Sequence, residues 1–118
     1  MRLRVVAIAD RGVPNQERLH ISALVDANLV NYAIFDTVRL GNGSTIASIP
    51  KHAYWFTPYQ VKAGDDVVIY TGPGTPSRIP RPGVGTHQFF YWGLGQTIWG
   101  DPKSCAVVLE IGDWATSP

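Results

Sequence analysis

Residues 89–100, FFYWGLGQTIWG, place Phe89, Phe90, Tyr91, Trp92 and Trp99 around three glycines. In an extended strand, Phe89 and Tyr91 point to one face, and Phe90 and Trp92 point to the other. Since a β-sandwich buries one face of each sheet, one pair should fill the core while the other lies outside. We predict that Trp92 and Trp99 belong to the core and that Phe89 and Tyr91 are exposed.

Short apolar runs separated by turn residues lie on both sides of this stretch. Residues 3–9, 17–24, 32–35, 66–70, 87–92 and 105–111 are typical of β-strands. GNGS at 41–44 predicts the turn of a hairpin. Twelve glycines and nine prolines favour many turns, and no sustained helical pattern competes. The sequence therefore predicts one all-β domain over residues 1–118, a sandwich or a barrel.

The last predicted strand has two candidate faces. Cys105, Val107, Leu109 and Ile111 share one face, with Ala106, Val108 and Glu110 on the other. We expect Val107 and Leu109 in the core, together with Tyr32.

The segment 71–85, TGPGTPSRIPRPGVG, is predicted to be a long loop, because proline cannot donate a hydrogen bond within a sheet. Arg78 and Arg81 could clamp an anion beside its glycine-rich turns. The alternative, which we favour, is a semi-rigid loop with solvated arginines.

Several functional classes find no support in the sequence. A formal charge of +1 shows no basic excess for a nucleic-acid partner. The single cysteine, Cys105, excludes an internal disulfide and a CxxC metal site. His20, His52 and His87 lack zinc-ligand spacing, and no GxSxG motif is present. We therefore expect no catalytic residues, metal or cofactor.

The apolar runs are also too short for targeting or membrane insertion. The run from Val5 to Ala9 is shorter than the roughly 7–15 residues of a signal-peptide core. No window approaches the roughly 20 apolar residues of a membrane span. We expect a cytoplasmic protein, since a domain without disulfides suits a reducing compartment.

Two halves of the sequence resemble the lamin-tail domain family. Residues 66–114 contain VVIYTGPG and then FFYWGLGQTIWGDPKSCAVVLEIGD, which are similar to a Thr-Gly-x-Gly turn, an aromatic-Trp-Gly element, a second Trp and a final apolar strand. Residues 15–65 contain ERLHI and NLVNYAIFD, which resemble earlier elements of that family. The matching positions are Glu17, Ile21, Leu29, Tyr32, Asp36, Thr71, Gly72, Gly74, Tyr91, Trp92, Gly93, Trp99, Val107, Leu109 and Gly112.

The resemblance implies an immunoglobulin-like β-sandwich of two antiparallel sheets, serving as a non-catalytic binding or tethering module. An exposed Phe89 and Tyr91, joined by Tyr54 and Phe56 of the YWF triplet, would form an apolar patch for a protein partner or for self-association. The alternative function is an accessory nucleic-acid-binding domain that uses the loop with Arg78 and Arg81. A small hydrolase would need a pocket with a perturbed acid–base pair, and no small-molecule substrate is indicated.

Overall fold

A computed structural model of the chain describes residues 1–41, 45–47 and 49–118. These residues contain no α-helix, which confirms the all-β prediction, and one short 3-10 turn spans Leu29–Asn31. The strands, in chain order, are β1 (Leu3–Ala9), β2 (Arg18–Ala23), β3 (Ala27–Asn28), β4 (Tyr32–Leu40), β5 (Thr45–Ile46), β6 (His52–Trp55), β7 (Gln60–Val61), β8 (Asp66–Tyr70), β9 (Ser77–Arg81), β10 (Gly85–Tyr91) and β11 (Ser104–Glu110).

The first sheet has five strands in the order β1-β2-β8-β10-β9. Its β8–β10 pair is parallel, whereas the other neighbours are antiparallel. The prediction of two purely antiparallel sheets is therefore wrong. The physical reason lies in the chain path: β8, β9 and β10 alternate in direction, and β10 enters between the other two, so it runs alongside β8.

The second sheet is built around β4, which pairs antiparallel with β11 on one side and with β6 on the other. The end of β4 also pairs with β5, where Arg39 faces Ile46. This is the strand pair expected of the predicted hairpin; residues 42–44 of its GNGS turn lie outside the described residues. A small separate ladder joins β3 to β7.

Both sheets contribute side chains to one apolar core. Leu19, Ile21 and Ile69 come from the first sheet, Ile34 comes from the second, and Trp99 comes from the connection before β11. Each large apolar side chain buried in this way stabilises the fold by about 1.5–3 kcal/mol. Two sheets over a shared core are compatible with a β-sandwich.

The segment 71–85 is not the long loop that its prolines suggest. It contains β9, which pairs antiparallel with β10 and places Pro80 opposite Thr86. Proline is tolerated here because β9 is the terminal strand of its sheet, where one side of the strand needs no backbone partner.

The two faces of β11 are also the reverse of the prediction. Ala106 and Val108 pack against the core, and the register places Val108 opposite the buried Ile34. Val107 and Leu109 are half-buried on the outer side of the second sheet. Both faces of this strand are apolar in sequence, so alternation alone could not identify the inner one.

Candidate interaction surface

The outer side of the second sheet is uncharged where β4 pairs with β6 and β11, although Arg39 follows on β4 beyond this part; we call the uncharged part the apolar face. The pairing registers place eight positions of β4, β6 and β11 on this side, and none of the eight is Asp, Glu, Lys, Arg or His. They are Ala33, Phe35, Thr37, Ala53, Trp55, Cys105, Val107 and Leu109.

An aromatic pair projects from one end of the apolar face. Trp55 and Trp114 meet edge to face with ring centroids 5.1 Å apart. They remain 48% and 46% exposed, respectively. The indole N–H of Trp55 donates to the carbonyl of Val30 at 2.7 Å, which fixes the ring orientation. The pair is thus an oriented aromatic surface, the kind of group that dominates many protein interfaces.

An apolar hollow of about 210 Å³ lies on the same face. The hydroxyl of Thr37 donates to the carbonyl of Ala47 at 2.8 Å, which holds the segment after β5 against one wall of the hollow. The lining residues are Phe35, Thr37, Ile46, Ala47, Pro50, Val107 and Leu109. A hollow of this lining suits an apolar side chain.

The outer side of the first sheet differs, because other groups of the chain enclose its Tyr91 ring. Tyr70 stacks on Tyr91 with centroids 5.2 Å apart, and the guanidinium of Arg18 lies 5.8 Å from the Tyr70 ring centre. On the other side of Tyr91, a Cβ added to Gly74 would lie only 2.3 Å from the ring. Tyr91 is therefore enclosed between the Gly74 backbone and Tyr70 and offers no open platform.

Several charged groups on the first sheet are paired within the chain. The Asp66 carboxylate lies 3.1 Å from Nδ1 of His87 and 3.3 Å from the guanidinium of Arg81. Burial and the neighbouring Arg18 guanidinium lower the pKa of His20 on the same side. His20 is therefore biased toward its neutral form at neutral pH.

Arg78 and Arg81 do not converge into an anion clamp. Residues three apart on a strand point to opposite faces, and both arginines belong to β9. Arg81 also donates to the carbonyl of Gly64 at 3.3 Å, in addition to its contact with Asp66.

Arguments about the function of this chain rest on the geometry of these surfaces. Comparison with protein-family models, curated proteins and solved structures found no match. Within the described ranges, no helix has the length and hydropathy to cross a membrane. No three His, Cys, Asp or Glu side chains in that part of the chain are grouped to hold a metal ion.

The patch expected from Tyr54 and Phe56 together with Phe89 and Tyr91 is not assembled. Phe56 is 2% exposed and packs edge-on against Phe90, with centroids 5.3 Å apart. Tyr54 lies against the core too, where burial raises the pKa of its phenol. Phe89 and Tyr91 are half-buried on the opposite side of the first sheet. The exposed member of the YWF triplet is Trp55, which alternation within the triplet could have indicated.

The aromatic residues predicted for the core lie inside the molecule. Trp99 is completely buried beside the partly buried Trp92, with centroids 6.0 Å apart. Tyr32 is buried as well, and its hydroxyl donates to Oε1 of Glu110 at 2.7 Å. Burial and this hydrogen bond raise the pKa of Tyr32 to about 12.

Sequence reasoning missed a buried carboxylate that joins three parts of the chain. Glu17 is fully buried, and its Oε2 accepts hydrogen bonds from the backbone N–H groups of Gly12 and Trp99 at 2.7 and 3.1 Å. Its Oε1 accepts from the Ile98 N–H at 2.8 Å and from the Thr71 hydroxyl at 3.0 Å. All of these partners are donors within the fold, so Glu17 has a structural role.

Proposed function

We propose that this protein is a non-catalytic binding module that engages a protein partner through the apolar face. The observation that carries the proposal is the uncharged part of the second sheet's outer side, where an exposed Trp55–Trp114 pair lies beside an apolar hollow. Contiguous exposed apolar surface often marks a protein interface. Tryptophan anchors and an apolar centre are typical of such interfaces.

Of the three acids buried in the described part of the chain, Glu17 and Asp65 are occupied by donors of the fold, which supports a binding role, whereas Asp36 lies 2.8 Å from Nδ1 of His52. Glu17 is occupied by hydrogen-bond donors of the chain itself. Asp65 accepts from the backbone N–H groups of Lys62 and Thr86 at 3.0 and 2.9 Å. Both carboxylates hold loops in place, which gives the sheets a rigid frame from which to present a surface.

We further propose an immunoglobulin-like topology of the lamin-tail type for this fold. In support, three residues that carry the resemblance meet at one point although they lie far apart in sequence. The carboxylate of Glu17 binds both the Thr71 hydroxyl and the Trp99 backbone N–H. In that family, such domains serve as binding or tethering modules, which agrees with the role proposed from the apolar face.

Charge insertion into the apolar face tests the proposed function. We expect Trp114→Glu and Trp55→Glu to abolish capture of proteins that the wild-type chain retains from extracts of its native host. Leu24→Glu is the matched control, because Leu24 is 51% exposed in the turn after β2, away from this face. Circular dichroism would verify that each variant is folded. Retention of the same proteins by all three variants would contradict the proposal.

A further inference from the structure

The two sheets end next to each other on one side of the molecule. β1 is the terminal strand of the first sheet and β11 is the terminal strand of the second. Among the described residues, neither has a strand partner on its outer edge. A groove of about 290 Å³ separates the two edges, lined by Val5, Val6, Ala7, Ile8, Arg11, Leu19, Arg39, Cys105 and Ala106.

Apolar side chains remain uncovered along this groove. Val5 pairs in register with the buried Ile21, yet it is 45% exposed, and the next residue, Val6, is 53% exposed. Apolar side chains of β1 are therefore accessible to solvent at this edge of the sandwich. An open apolar edge of this kind is a template for pairing with another strand.

Of the two edges, β11 is the better template. A register shift between Val5 and Ala7 interrupts β1, and such bulges disfavour the addition of a strand. The pairing of β11 with β4 is continuous from Ser104 to Glu110. Its outer edge should therefore offer backbone N–H and carbonyl groups from Ala106 to Glu110, whereas at Ser104 the N–H already donates to the Asp101 carbonyl and the carbonyl accepts from Arg11.

Opposite charges lie at the two ends of β11: Arg11, from the segment after β1, at one end and Glu110 at the other. At one end, the guanidinium of Arg11 donates to the Ser104 carbonyl at 3.0 Å. At the other end lies the exposed Glu110, whose Oε1 binds the Tyr32 hydroxyl. Ser104 and Glu110 lie an even number of residues apart, so their backbone groups point to the same edge of the strand. An antiparallel copy of β11 would bring its Glu110 beside Arg11 of the first chain. At the other end of the strand pair, Glu110 of the first chain would lie beside Arg11 of the copy.

We propose that a second copy of this chain pairs antiparallel with β11 about a two-fold axis at Val107. In this register Ser104 faces Glu110 of the other copy, and Cys105 faces its Leu109. Both ends carry an Arg11–Glu110 contact, as an isologous interface requires. The strands β6, β4 and β11 of each copy then form one continuous sheet, which places the two apolar faces side by side.

This pairing is separate from the proposed binding to the apolar face, since it uses backbone groups and the groove side of β11. Sedimentation velocity at about 1 to 200 μM protein measures the fraction of dimer. The range reaches high concentrations because the pairing of two strand edges gives a small interface and hence weak association. Glu110→Arg replaces both attractions by repulsions and should weaken the dimer roughly tenfold or more. Asp113→Arg makes the same charge change at an exposed position outside β11 and should leave the dimer intact.

A charge swap separates this contact from a general structural effect. Arg11→Glu alone should weaken the dimer, and Arg11→Glu combined with Glu110→Arg should restore at least part of it. Failure of the combined variant to recover, while it remains folded, contradicts the Arg11–Glu110 contact and with it the proposed register.

A cysteine cross-link reports the register independently. Leu109→Cys should form an intermolecular disulfide with Cys105 of the other copy under mild oxidation, because opposed residues in an antiparallel pair lie within disulfide range. The same variant with Cys105→Ser should not cross-link. A monomer at every concentration, or cross-linking that is unchanged by Cys105→Ser, overturns the proposal. Trp114→Glu should leave the dimer intact, so failure of the dimer and failure of the proposed function are distinguishable.

Discussion

Replacement of Glu17 tests whether its buried carboxylate holds three loops together. Glu17→Ala would remove the acceptor of three backbone N–H groups, those of Gly12, Ile98 and Trp99, and of the Thr71 hydroxyl. Each buried donor left without a partner costs about 1–3 kcal/mol. The three amides together cost roughly 3–9 kcal/mol, which approaches the 5–15 kcal/mol that typically stabilises an entire domain. We expect Glu17→Ala to be largely unfolded.

Glu17→Gln is the graded version of this test. The amide group replaces one oxygen, and its least costly position is that of Oε1, because the Thr71 hydroxyl can then accept a hydrogen bond instead of donating one. Only the Ile98 N–H loses its acceptor in that orientation. We therefore expect a loss of about 1–3 kcal/mol in the free energy of unfolding.

Urea unfolding followed by tryptophan fluorescence measures both effects. Trp99 lies against Glu17 and is buried, so its emission should report loss of this site. Glu110→Gln is the matched control, because it makes the same chemical change at an exposed position and its amide oxygen can still accept from Tyr32. If Glu17→Gln and Glu110→Gln shift the midpoint equally, Glu17 does not have the proposed role.

Two further predictions concern the first sheet. Gly74→Ala places a Cβ 2.3 Å from the Tyr91 ring and should cost about 1–3 kcal/mol by overpacking, whereas Gly95→Ala has open space and should change the thermal midpoint little. A similar midpoint for both alanine variants would refute this packing. Because the pKa of His20 is lower in the folded state than its ordinary value of 6.5, the folded state favours the neutral imidazole. The free energy of unfolding should therefore decrease as the pH falls from 6.5 through the lowered pKa. His20→Asn should therefore show a shallower loss of unfolding free energy below pH 6.5, and identical pH profiles would count against the shift.

The fold class could be predicted because several sequence signals agreed. Alternation of Leu19 and Ile21 marked β2, and the apolar run ending at Tyr70 marked β8. Both signals are local, so neighbouring residues suffice to produce them. The same is true of the strand pair around the predicted hairpin.

The candidate site was harder to predict because it depends on non-local pairing. Val107 and Leu109 belong to a strand that is apolar on both faces, and only its register with β4 determines which face is inside. Glu17 gave no local sign of burial, since its donors come from residues 12, 71, 98 and 99. The edge position of β9, which tolerates Pro80, likewise follows from the order of strands in the sheet.

The contrast between the two outer surfaces explains why we assign recognition to the second sheet. Val68 on the outer side of the first sheet and Thr37 on the outer side of the second are both only 2% exposed, so the contrast lies in the aromatic groups. Binding on the first sheet would have to displace existing contacts, such as the stack of Tyr70 on Tyr91, before it gained new ones. On the second sheet, Trp55 and Trp114 are still half exposed, so a partner that covers them removes apolar area from water without that initial cost. This difference is the reason that we propose the apolar face as the binding surface.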